Sequence, residues 1–88
     1  MHEGEVMNDR TKLAKSYMKG IATKQEFKDL IGKLLLSDSE VYVLTEIYLH
    51  NKQLSIIADD LGYSVQTVKR IHRDVLTTVS NYIYDTTR

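Results

Sequence analysis

Leu54-Ser-Ile-Ile-Ala-Asp-Asp-Leu-Gly-Tyr-Ser-Val-Gln-Thr-Val-Lys-Arg-Ile-His-Arg73 is the stretch that decides the fold. Its first half carries apolar side chains at Ile56, Ile57, Ala58 and Leu61, and Ser55 reads as the cap of a short helix. Gly62 follows, where a left-handed turn residue is cheapest as glycine. Ser64 then caps a second helix. Tyr63, just before that cap, is at the position that staples onto Val68. Val68, Ile71, Val75, Leu76, Val79, Tyr82 and Ile83 form one apolar stripe, which predicts a long helix reaching Tyr84. Two helices joined by a tight turn, with a small residue (Ala58) where they must approach, spell a helix-turn-helix.

Outward from this segment the chain keeps the same grammar. Asn8 is a candidate N-cap for a first helix with Leu13, Ala14, Tyr17, Met18 and Ile21 on its apolar face, ended by Gly20. Thr23-Lys-Gln-Glu26 and Ser37-Asp-Ser-Glu40 have the capping-box spacing. They open helices whose apolar stripes are Phe27, Leu30, Ile31, Leu34 and Leu35, and then Val41, Val43, Leu44, Ile47 and Tyr48. Asn51-Lys-Gln53 is a polar turn. The expectation is an all-α fold of about five helices: a single helical domain over 8–84, with a two-helix N-terminal extension (8–35) and a helix-turn-helix unit (36–84). Residues 1–7 read as a disordered tail and Asp85-Thr-Thr-Arg88 as a loose end.

Composition narrows the function. The chain has 88 residues, 42% hydrophobic and 27% charged, with no cysteine and no proline. Disulfides and thiolate zinc sites are therefore excluded. No apolar run approaches the length of a membrane span, and the N-terminus lacks the pattern of a signal peptide, so a cytoplasmic protein without membrane contact is expected. The histidines at 2, 50 and 72 lack ligand-like spacing, and neither a nucleophile–base set nor a Gly-rich phosphate loop is present. The reading is of a protein that is not an enzyme and takes no cofactor or metal.

Charge is zero overall, with 12 basic and 12 acidic residues. Residues 65–73 are the exception: Lys69, Arg70 and Arg73 stand there without an acid. Gln66, Lys69, Arg70 and Arg73 fall on the face opposite the apolar stripe. Gln pairs bidentately with adenine and Arg or Lys with guanine, while Val65 suits a thymine methyl. Ser64 and Thr67, on the first turn, suit phosphate. Residues 64–76 thus read as a recognition helix for double-stranded DNA, with Ser64, Val65, Gln66, Thr67, Lys69, Arg70 and Arg73 as its DNA-binding residues. His72, beside them, reads as half-buried and neutral. Lys12, Lys15, Lys19, Lys24, Lys28 and Lys33 read as a solvated face, with tracking of DNA phosphates as the alternative.

Residues 36–80 resemble region four of bacterial sigma factors, which reads the upstream promoter element. The resemblance lies in Leu36-Ser-Asp-Ser-Glu40, in Leu54 to Ser64, and in Thr67-Val-Lys-Arg-Ile-His-Arg-Asp-Val-Leu76. LuxR-type domains share much of it, including Thr67-Val-Lys69. A region-four-like unit with a helical extension is similar to small phage regulators of the ArpU and RinA type. The resemblance implies a phage or prophage transcriptional regulator that reads DNA and contacts RNA polymerase. Val65 stands where sigma factors carry a charged residue, so no operator sequence is implied.

Homodimerisation on a palindromic site is a further expectation. Its candidate surfaces are Val79–Tyr84 and the first helix with Tyr17, Met18 and Ile21. The competing function is a protein-interaction module, such as a phage inhibitor of a host protein, on the same scaffold.

Overall fold

The computed structural model describes residues 9–86. The Asn8 cap, the tail at 1–7 and the last two residues lie outside it. Five helices and no strand make up the described chain: α1 (Asp9–Lys19), α2 (Lys24–Leu34), α3 (Asp38–Tyr48), α4 (Leu54–Leu61) and α5 (Val65–Thr86). The fold is all-α, as the apolar periodicity predicts.

The helix starts follow local chemistry. The Ser37 hydroxyl accepts from the Glu40 N–H (3.3 Å), and Glu40 accepts from the Ser37 N–H (2.9 Å), completing a capping box. Thr23 accepts from the Glu26 N–H, but Glu26 reaches back one residue further, to the Ala22 N–H. Two boundaries differ from expectation. α4 is capped by Gln53, which makes no side-chain cap hydrogen bond, and Ser55 falls inside the first turn. α5 continues through Asp85 to Thr86, because no breaker interrupts its helical spacing.

α5 is the spine on which the other four helices pack. One core cluster joins Ala14 and Met18 of α1, Phe27, Leu30 and Leu34 of α2, and Leu44 of α3 to Val75, Leu76 and Val79 of α5. The other joins Val43 of α3, Ile57 and Ala58 of α4, and Val68 of α5. Ile71 packs against both. The N-terminal extension therefore shares a core with the helix-turn-helix unit. Fully burying a Leu, Val or Met of this kind contributes about 1.5–3 kcal/mol.

Several apolar residues do not face inward as their identity suggests. Leu35 is 93% exposed, because it terminates α2 in the left-handed conformation (φ 53°, ψ 50°) and leaves the stripe. Leu13, Tyr17 and Ile56 are exposed on the flanks of α1 and α4, while Thr11, Glu46 and Ser80 are buried. The two candidate dimer surfaces are partly taken up within the chain: Met18 and Val79 are buried in one core cluster, with Ile21, Tyr82 and Ile83 packed against it, while Tyr17 and Tyr84 are exposed. Among the described residues no helix is long and apolar enough to cross a membrane.

Candidate nucleic-acid interface

The turn between α4 and α5 is tightly specified. Gly62 takes a positive φ of 73°, and the Tyr63 N–H bonds the Ala58 carbonyl at 2.9 Å, closing α4. Ala58 and Val68 are both buried, so the two helices meet through a small residue and a β-branched one. The Ser64 hydroxyl accepts from the Thr67 N–H (3.1 Å), and the two side-chain oxygens stand 3.0 Å apart. Ser64 is thus the cap of α5. The Tyr63 hydroxyl stands 3.3 Å from Ser39 Oγ, which ties the turn to the start of α3.

A polar network fixes the other side of the unit. Lys52 Nζ bridges Glu46 (3.0 Å) and Asp60 (3.2 Å), and Tyr42 donates to Asp60 at 2.9 Å. His50 Nδ1 stands 3.0 Å from Glu46. The His50 and Lys52 hydrogen bonds hold the Glu46 carboxyl below its usual range. The Tyr42 and Lys52 hydrogen bonds do the same for Asp60. Those two carboxylates raise Lys52 in turn. The connection between α3 and α4 is therefore clamped by charge between Leu49 and Leu54, which pack on the two cores.

On this support α5 presents two adjacent stripes, each with i, i+4, i+7 spacing. The outer one is Gln66, Arg70 and Arg73, all exposed. The inner one is Val65, Lys69 and His72, which lines an open groove of about 730 Å³. The sequence-predicted residues thus divide: Gln66, Arg70 and Arg73 stay together on the outside, Val65 and Lys69 edge the groove, and Ser64 and Thr67 are occupied with the cap. His72 is partly buried, its Nε2 2.8 Å from the Tyr48 hydroxyl. Burial, then the nearby Lys15 charge, pushes its pKa down to about 4. A neutral ring at physiological pH agrees with the sequence reading.

The sequence offers Lys15 and Lys19 only as members of a run of six lysines, and does not show that they form the far wall of this groove. Lys15 and Lys19 of α1 line it together with Lys69. Lys15 is partly buried there, not part of a uniformly solvated face. Their i, i+4 spacing is visible as a shared helix face; what that face meets is set by packing between α1 and α5. Among the described residues no group of three or more His, Cys, Asp or Glu side chains converges as metal ligands would.

No protein-family model, curated protein or solved structure matches the chain.

Proposed function

We propose that this chain is a sequence-specific DNA-binding transcriptional regulator that reads the major groove with the N-terminal half of α5. The observation that carries the reading is the exposed stripe Gln66, Arg70 and Arg73, raised on a turn whose buried side is fully packed. Side chains of this chemistry on the first turns of a supported helix are what base-edge recognition requires. Ser64 and Thr67, whose hydroxyls cap α5, stand on the first turn, and Val65 adds an exposed apolar group beside them. The region-four resemblance of residues 36–80 extends the proposal to RNA polymerase as a partner and to a phage or prophage regulatory role.

In vitro selection of duplexes bound by the whole chain tests this directly. A defined motif should emerge, bound with affinity that falls steeply with salt. Gln66→Ala and Arg70→Ala should each weaken the selected site by about 1–3 kcal/mol and relax preference at one base position. Enrichment of no motif, together with capture of a host protein through the same α5 face, would establish the protein-interaction reading instead.

A further inference from the structure

The groove beside the recognition helix has an unusual charge pattern. It is bounded by α1, by the connection from α3 to α4, and by the inner stripe of α5. Four lysines line it (Lys15, Lys19, Lys52 and Lys69), and no aspartate or glutamate does. Lys52 is already held by Glu46 and Asp60. Lys15, Lys19 and Lys69 make no ion pair among the described residues. A chain with no net charge thus gathers three uncompensated cations from two helices distant in sequence on the walls of one groove.

Such a cleft complements an extended polyanion, because like charges gathered without counter-charge repel one another until an anion enters. Its position says which polyanion. Lys69 precedes Arg70 on α5, so whatever lies along the groove runs beside the surface that the outer stripe presents. Gln53, the cap of α4, also lines the groove and makes no side-chain cap hydrogen bond, so this helix start lacks the internal acceptor that Ser37 and Ser64 supply to α3 and α5.

We propose that this groove holds the sugar-phosphate backbone of the duplex whose major groove α5 reads, with Lys15 and Lys19 of the N-terminal extension and Lys69 of α5 paired to its phosphates. The inference rests on the DNA-reading function above and gives the extension a part in it: α1 is the second wall of a clamp on one strand. Lys69 becomes a phosphate contact, and base reading falls to Gln66, Arg70 and Arg73.

The test is a salt titration of binding to the selected duplex and to an unrelated duplex, using the whole chain and three paired variants. Lys15→Gln with Lys19→Gln should weaken both duplexes by a similar factor, roughly tenfold, and reduce the salt slope by about 0.9 for each phosphate left without its lysine. Lys15→Arg with Lys19→Arg should restore affinity and slope, which separates missing charge from impaired folding. Lys24→Gln with Lys28→Gln removes the same charge from exposed positions on α2 and should change neither quantity. If the α1 pair leaves affinity and slope untouched while Arg70→Ala weakens the selected site, the groove proposal is wrong and the regulator reading stands. Equal effects from the α1 and α2 pairs would also overturn it, by showing a bulk charge effect. Failure of the unmodified chain to bind any duplex removes both readings together.

Discussion

The Tyr48 hydroxyl and His72 Nε2 lie 2.8 Å apart, joining the end of α3 to the middle of α5. Their rings are tilted at 53° with centroids 5.7 Å apart, so the contact is a hydrogen bond flanked by aromatic packing. Burial pushes the phenol up to about 12 and, helped by Lys15, the imidazole down to about 4. Both groups are therefore neutral near pH 7, and the pair needs no counter-charge in a partly buried site.

This pair gives the fold a pH dependence of definite sign. In the unfolded chain His72 takes up a proton near its ordinary value of about 6.5, while in the folded chain it resists until about 4. The unfolded state binds more protons between those values, so stability rises with pH across that window. The full contribution is present above pH ~6.5 and disappears as pH falls towards 4, amounting to up to about 3 kcal/mol by that shift. From the acid end of that window downward, Glu46 and Asp60, whose folded values are lowered, also cease to contribute as they are protonated. Urea denaturation at a series of pH values should show the slope, and His72→Gln should flatten it below pH ~6.5 while leaving the fall that the carboxylates add at the acid end.

Two helix ends in the left-handed conformation should respond in opposite directions. At Gly62 (φ 73°) a Cβ would meet nothing within 4 Å, so Gly62→Ala costs backbone energy alone, about 1–2 kcal/mol. Leu35 adopts φ 53° with a β-carbon and an almost wholly exposed side chain. Leu35→Gly relieves that conformation with little burial to forfeit, and should raise stability by about 1 kcal/mol. Thermal melts of the two variants should move to opposite sides of the parent.

The N-caps separate a serine that caps from one that only resembles a cap. Ser37→Ala removes one half of the capping box and should cost about 1 kcal/mol. Ser55→Ala, at an exposed position inside α4, should stay within about 0.5 kcal/mol of the parent in the same denaturation assay.

Ser80 offers a stabilising change. Its hydroxyl oxygen is buried with no hydrogen-bond partner among the described residues, on the face of α5 that also carries Leu76. Ser80→Ala removes an unsatisfied group and improves helix propensity, so the urea midpoint should rise by the equivalent of about 1 kcal/mol.

The features that can be read in the sequence are those fixed by neighbours within a few residues. The Ser37–Glu40 box, the Gly62 turn and the Ser64 cap each depend on spacings of a turn or less, and all three stand where the sequence puts them. Apolar identity alone is a weaker guide to facing: Leu13, Tyr17 and Ile56 lie at the margins of their stripes, where only the partner helix decides what is covered. Leu35 departs from its stripe because a helix stop there reverses the backbone. Glu46 is buried beside Lys52 and His50, a cover that depends on the chain folding back after α3 and that no helical spacing announces. In the candidate site the outer stripe of α5 is legible from its periodicity. Its inner neighbour, Lys69, acquires its setting from Lys15 and Lys19, some fifty residues away in sequence.

The packing of α1 against α5 bears on how this molecule can be cut and rebuilt. A fragment starting at Leu36 would keep every residue of the region-four resemblance. It would also strip Ala14, Met18, Phe27, Leu30 and Leu34 from the cluster that covers Val75, Leu76 and Val79. The exposed stripe of α5 is thus no detachable cassette: a chimera that carries it into another protein must bring the first two helices along, or supply an apolar surrogate for them.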